Sequence, residues 1–383
     1  MSANTLTGLL PTIYSAADMI SREMVGFIPS IYVNPKAEEV AKDQNITYPV
    51  VGTMAASDAT PASTLPDPSG VTVGAGTMAI TKVRKVNFPW NGEEVTSIDP
   101  VFGEVKQNQF LQAMRTLVNE IEADIAALYV KASRAYGVAG TTPFASTLAD
   151  PAQVRKILVD NGAPTNDLQL VINTTAGAAL RTLAQLTKVN EAGDAALLRR
   201  GELLNIHGFS IRESAQVKQH TIGDPTGYLV DLTAGYAVGS STIHVDTGTG
   251  AFLAGDVVTN NKTARDANKY VVTTGFAGDG DGDIVLGAPG LKVAWVNNDP
   301  LDNVATYAAN MAFHRNCIHL LTRLPKMPPG GDAALAQEVV TDPISGISFQ
   351  VLEYGEYRQK VFEVAVAWGV KAVKPEHLAL LLG

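Results

Sequence analysis

The residues best placed to do chemistry are Asp279, Asp281 and Asp283, at alternate positions in the run GDGDGD. Carboxylates at every second residue are how calcium loops present oxygen ligands. Such a loop also needs a glycine after the third carboxylate and a glutamate at its twelfth position, where this chain has Ile284 and Gly290. The run therefore reads as a solvated turn, with weak cation binding as the alternative. Asp246-Thr247-Gly248 is the triplet of aspartic proteases, whose chemistry needs two carboxylates sharing a proton. No second such triplet occurs, and Asp-Thr-Gly is equally an ordinary turn after a strand. His314 and His319 lie five apart on an expected helix, so they do not share a face as i, i+4 metal ligands would. GAGTMAI (74–80) lacks the Lys-Ser/Thr of a phosphate loop, and neither H-E-x-x-H nor G-x-S-x-G is found. The expectation is a protein that is not an enzyme, with no cofactor and no dedicated metal.

Composition bounds the classes further. The 383 residues allow two or three domains, and 46% hydrophobic residues supply a large core. Only 17% are charged, a low share that suits a surface buried against copies of itself. A net charge of −9 argues against a surface built mainly to grip phosphates. The single cysteine, Cys317, excludes an intramolecular disulfide and reads as a buried thiol in a reducing cytoplasm. No apolar run reaches the ~18 residues of a membrane helix, and the first residues lack the features of a signal peptide.

The elements follow from pattern. Residues 1–45 read as an N-terminal arm carrying a short amphipathic helix over 15–25, too short to bury its apolar face alone. Residues 46–98 read as an extended two-stranded loop, with strands over 46–51 and 79–88 around an Ala/Ser/Thr/Gly/Pro stretch that cannot make a core. The spacing of Leu111, Met114, Leu117, Ile121, Ile125 and Leu128 predicts a long helix over 102–136. A helix N-capped by Asp150 follows, then a strand over 167–172, helices over 174–186 and 195–203, and a strand with a turn at Gly208, an α/β pattern. In 221–303 helical periodicity disappears, and GSSTIHVD, GDVVT, KYVVTTG, DGDIVLG and LKVAWV read as short strands of an inserted antiparallel barrel or sandwich. The run YAANMAFHRNCIHLLTRL (307–324) is expected to be helical, followed by strands over 338–340, 347–354 and 357–373. Trp90, Trp295 and Trp368 are expected as core or interface anchors.

This order of segments resembles the major capsid proteins of tailed bacteriophages, and among them the P22 coat-protein family. The runs that carry the likeness are VAVAWGVKAVKPEHLALLLG (364–383), NMAFHRNCIHLLTRLP (310–325) with TDPISGISFQV (341–351), and GSSTIHVD with the later Gly255-Asp256 step. The resemblance covers nearly the whole chain and rests on order more than on any single motif. It implies an α+β, Hong Kong 97 (HK97)-like capsid fold. In it, 46–98 would be the extended loop (E-loop) lying over a neighbouring subunit, and 99–220 the spine helix, the peripheral domain and the start of the axial domain. Residues 221–303 would be an inserted β-barrel-like domain, and 304–383 the axial domain and return strands.

The implied function is a coat protein that self-assembles through pentamers and hexamers into an icosahedral shell around a double-stranded DNA genome, without sequence-specific DNA contacts. Scaffolding, portal and in some cases decoration proteins would be partners, and assembly in the host bacterial cytoplasm would place the product in the virion, with no membrane involved. Two rivals are an encapsulin-like bacterial compartment of the same fold and a hydrolase or glycan-binding protein using the β-domain. Candidate intersubunit residues are Trp90 and the cations Lys82, Arg84 and Lys85, which in an acidic chain are either a solvated strand face or partners for carboxylates on the adjacent subunit.

Overall fold

The structure, a computed structural model, describes residues 23–40, 42–51, 54, 56, 58, 73–98, 102–183, 186, 205–262 and 265–383. Most of the expected helix at 15–25, the one at 195–203 and the tip of the extended loop lie outside these residues, while residues 23–25 are not helical. A short 3-10 turn (Ile28–Ser30) leads into β1 (Tyr32–Val40), a strand within the segment expected to be an arm. β2 (Asn45–Val51) and β3 (Val73–Ala79) pair from Asn45↔Ala79 to Val51↔Val73 as a hairpin of their own.

β4 (Lys82–Asn91) leaves that hairpin, so the expected strand over 79–88 is broken. The break has a cause. Ile80 is fully buried, Thr81 donates its N–H to the Trp368 carbonyl at 3.1 Å, and a Cβ on Gly369 would lie 2.0 Å from the Ala79 carbonyl oxygen. The glycine lets the hairpin root cross the sheet in contact, and the chain turns there into a different sheet.

α1 (Gly92–Ile98) precedes α2 (Phe102–Ala126), whose Met114, Leu117, Val118, Ile121 and Ile125 form the buried stripe foreseen from their spacing. The helix ends ten residues short of the expected boundary. It tightens into a 3-10 turn (Ala127–Lys131) and gives way to β5 (Arg134–Tyr136), because Ser133 donates to the Leu378 carbonyl and the sheet claims the backbone from there. Next come α3 (Ala149–Asp160), β6 (Leu168–Ile172), α4 (Thr174–Thr182), β7 (Phe209–Glu213) and β8 (Gln219–His220). Asp150 lies inside α3 and does not cap it; its Oδ2 accepts the Phe144 N–H at 2.8 Å. α4 is shorter than expected and is capped by Asn173, whose Oδ1 accepts the Ala176 N–H at 2.8 Å.

The stretch expected as an inserted β-domain contains β9 (Leu229–Val230), β10 (Thr242–Gly248), β11 (Val257–Asn260), β12 (Lys269–Thr274), β13 (Gly280–Leu286) and β14 (Leu301–Asn303), paired antiparallel. LKVAWV is not a strand and holds only an isolated bridge, Tyr236↔Trp295. This stretch has its own core of Tyr228, Ile243, Val245, Tyr270, Ile284 and Trp295 among others. It is nevertheless stitched to the body by β12–β5 pairing, Lys269↔Ala135 and Tyr270↔Arg134.

The expected helix over 307–324 is instead two strands, β15 (Tyr307–His314) and β16 (Ile318–Pro325), around a 3-10 turn at Arg315–Cys317. β15 and β16 are buried on both faces, their polar Asn310, His314, Thr322 and Arg323 included, so no wet face marks the period and the pattern cannot separate strand from helix. β17 (Ala334–Thr341), β18 (Ser348–Glu356), β19 (Gln359–Ala372) and β20 (Leu378–Leu382) complete the chain. One sheet runs β1-β16-β19-β18-β17 with β4 along β19, and a twelve-stranded sheet runs β7-β6-β15-β20-β5-β12-β13-β10-β9 with β8, β11 and β14 off that path. The main core lies where α2 packs against both, joining Ile121 and Ile125 to Phe313, Leu320, Phe349, Val366, Trp368 and Leu380.

One carboxylate ties the start of the chain to this assembly. Glu122, 1% exposed on α2, accepts the backbone N–H groups of Ile28, Phe27 and Gly26 at 2.7, 3.2 and 3.4 Å and the Ser214 hydroxyl at 2.8 Å. Burial raises its pKa, and the donated hydrogen bonds offset only part of that. The folded chain thus binds this proton more tightly than the unfolded chain, so stability from this group falls as pH rises from the ordinary glutamate range through the raised value. Glu122→Gln keeps one acceptor oxygen but aims an amide NH2 at the other donors. We expect it to lower the urea unfolding free energy by about 2 kcal/mol at neutral pH and to remove this pH dependence.

Candidate functional site

The first candidates are the cations of β4. Lys82 Nζ lies 2.8 Å from Asp124 Oδ1, Arg84 Nε 2.8 Å from Glu120 Oε1, and Lys85 Nζ 2.8 Å from Glu363 Oε2. Glu120 and Asp124 are one turn apart on α2, and the Trp368 indole donates to Asp124 Oδ2 at 2.9 Å. The three cations therefore stand on the main sheet, not on the extended loop, and have carboxylates of their own chain. Trp90 is 3% exposed, with its indole on Gln109 at 2.6 Å and its ring edge-on to Phe102, so it anchors the chain's own core. Exposed ion pairs contribute ~0–1 kcal/mol each. Changing Lys82, Arg84 and Lys85 together to glutamate sets them against Asp124, Glu120 and Glu363. The monomer's melting temperature should fall measurably, and the loss should shrink as salt is raised.

The hairpin β2–β3 is covered at its root and open at its far end. Its root packs through Met78 and Ile80 on Leu321 and Ala367, and Lys371 donates to the Thr77 carbonyl at 2.6 Å. Its far end exposes Val50, Val51 and Val73, at 38%, 62% and 59%, and Met54 beyond it at 70%. A two-stranded ribbon is marginal in water without a covering surface.

The aspartate run opens β13. Asp279 Oδ1 accepts the Gly250 N–H at 2.7 Å, Asp283 faces His244 across the ladder at 2.7 Å, and Asp281 is exposed. Their alternation is that of a strand with carboxylates on its wet face. No group of three or more His, Cys, Asp or Glu among the described residues could hold a metal ion. The Asp-Thr-Gly triplet lies within β10 and not in a turn after it; Thr247 takes φ +60° at an irregularity in the β10–β13 ladder. His314 and His319 sit on successive strands; the first accepts the Asn316 N–H at Nδ1, and the second stacks on Tyr32. Cys317 is fully buried, and burial pushes its thiol pKa well up.

Three aspartates of the β-rich stretch, Asp256, Asp266 and Asp299, are buried, which the sequence did not reveal, and all three are structural. Asp256 accepts from His220 Nε2 at 2.8 Å while Tyr129 OH meets His220 Nδ1 at 2.7 Å, a relay closed to solvent because Asp256 is fully buried and His220 is 4% exposed. Asp266 receives the Tyr270 hydroxyl at 2.8 Å and the Trp295 indole at 3.0 Å. Asp299 is fully buried; despite that desolvation, its pKa is held low by the Val296 N–H, Asn260, Lys262 and Arg265. Each joins loops of the β-rich stretch to one another or to the body.

His244 gives a pH test. Its pKa is raised, first by the hydrogen bond to Asp283, against some desolvation, with Asp231 and Asp281 adding to the field. Its contribution to stability is full below the unfolded histidine value and is lost as pH rises through the raised folded value. In Asp283→Asn the His244 titration followed by NMR should move back toward 6.5.

No family model matches the chain, and no curated protein matches it either. Solved structures do. With both sheets, the long helix and the hairpin in place, the chain has the α+β, Hong Kong 97-like fold of phage capsid subunits. The subunit of Mycobacterium phage Che8 is 12% identical, with 98% of each chain covered and a TM-score of 0.52. That of the capsid of the cyanophage P-SCSP1u is 11% identical, covering 100% of this chain and 95% of that one, with a TM-score of 0.53. The capsid of the native GTA particle gives 10% identity, 98% and 95% coverage and a TM-score of 0.50.

Proposed function

We propose that this chain is the major capsid protein of a tailed bacteriophage, self-assembling into an icosahedral shell that encloses double-stranded DNA. The observation that carries the reading is the β2–β3 hairpin, which stands off the body with an exposed apolar end. Such an end is a cost to a monomer and an asset to a subunit that lays it over a neighbour. The end-to-end fold likeness to phage shell subunits supports the same reading, as do the runs resembling the P22 coat-protein family. On this reading the chain works as a geometric device. Modest contacts repeat in every copy, and interlaced neighbours reinforce one another through effective concentration. Pentamers and hexamers form in the host cytoplasm, with scaffolding and portal proteins as partners. Residues 99–220 serve as the spine helix, the peripheral domain and the start of the axial domain, and 304–383 as the axial domain and return strands.

The test is negative-stain microscopy of the purified chain, alone and coexpressed with its neighbouring genes. Closed particles are expected. Val51→Asp changes an exposed residue, so the monomer's melting temperature should stay as in the wild type while particle yield drops. Wild-type particle yield from this variant, or no particles from the wild-type chain in either setting, would count against the proposal.

A further inference from the structure

The β-rich stretch carries opposite charge at its two ends. At one end, where β12 meets β5 and α3, Arg134, Lys156 and Lys269 line a concave pocket in which Asp160 is the one carboxylate among the described lining residues. Arg134 is 4% exposed, and its guanidinium is held by neutral acceptors, Asn268 at 2.8 Å and Asn161 at 3.2 Å, with Asp160 only at 3.7 Å and Nε without a partner. Lys269 bonds the Gly137 carbonyl, and Lys292, beside the pocket, bonds the Asp160 carbonyl at 2.9 Å. Burial depresses the pKa of both lysines; for Lys292 the neighbouring Arg134 adds to this and Asp160 opposes it. Arg134 and Lys292 also serve carbonyls at the end of α3, a favourable place for a cation. Lys156, exposed and on no such carbonyl, is not explained that way.

At the other end Asp231, Asp281 and Asp283 are exposed around His244. The two ends cannot neutralise each other within one chain. β12 and β13 are antiparallel with Val272 opposite Leu286, which puts Lys269 and Asp281 toward opposite ends of the ladder. At 3.3 Å per residue that is roughly 20 Å or more, beyond the ~8–10 Å over which exposed charges act at physiological salt.

We propose that the acidic end of this stretch docks into the basic pocket of the adjacent copy, a head-to-tail contact that repeats around each ring of subunits. The inference rests on the shell reading and names the contact that the β-rich stretch makes in it. A head-to-tail contact uses two different patches and closes when the rotation between copies closes. Opposite charge on the two patches fixes its direction and excludes head-to-head pairing.

A charge swap in the full chain tests it. Lys156→Glu and Asp281→Lys both alter exposed side chains, and unchanged melting curves confirm that each variant folds. Each alone should lower particle yield about threefold or more, since a small loss repeats in every subunit. Combined, they should restore yield toward wild type, and both single defects should respond to salt. Wild-type yield from the single variants, or a double variant no better than the worse single, overturns the contact. Normal particles from Lys156→Glu that have lost DNA content would overturn it as well, in favour of packaged phosphates as the pocket's occupant. Because the wild-type chain is scored alongside, a failed swap in a chain that still builds particles sinks only this contact, whereas no particles at all sinks the shell reading.

Discussion

Glu122 is the constraint on which the architecture turns. A helix side chain seldom accepts three consecutive backbone N–H groups from a distant segment, and here it does so at the point where the N-terminal segment, α2 and the end of β7 meet. The backbone geometry is equally tight. A Cβ on Gly26 would lie 2.4 Å from the Glu213 carbonyl oxygen, so only glycine lets the chain pass there. With that segment fixed, Phe27, Ile28 and Ile31 seal the main core, and β1 is led into its parallel pairing with β16. A surface carboxylate could not do this, because water would compete for each donor. In the interior, the cost of orphaning those N–H groups keeps the joint closed.

From this joint the two sheets take different tasks. The sheet built around β19 carries α2 on one face through Asp124, Glu120 and their partners, and the hairpin root on the other through Met78 and Ile80. The larger sheet continues through β5 and β12 into the β-rich stretch. That stretch has a core cluster of its own and is continuous with the body through its hydrogen bonds. Its three buried aspartates explain how Gly- and Asp-rich loops, with few apolar residues to pack, are nevertheless held in place.

Much of this was legible in the residues. The stripe of α2 could be read because one face is dry and the other wet, and the β-rich stretch because turns with Gly, Asp and Asn punctuate short β-branched runs. The strands β15 and β16, which enter different sheets, were not legible. A segment buried on both faces has no polar side to reveal its period, so MAFHRNCIHLL fits a helix as well as two strands. The β4 cations were visible as an anomaly, but their partners lie 36 and 42 residues away on α2 and 278 residues away on β19, and no local spacing encodes that. Asp256, Asp266 and Asp299 lie in connections between the short strands; what the sequence hides is that these connections are buried.

The ten-residue ladder between β4 and β19 has a kinetic consequence. It joins segments about 270 residues apart, so the entropy of closing that loop must be met before the ladder returns any stability. Contacts of such sequence separation slow folding. Until the ladder forms, α2 lacks the sheet that receives Glu120 and Asp124, and the hairpin root lacks the floor on which it packs. The strands β16 to β19 can pair locally, but until β4 arrives one edge of β19 stays open, in the crowded conditions where open strand edges find one another. Synthesis of such a protein at high level favours a cell whose chaperones can hold the early chain until its distant halves meet.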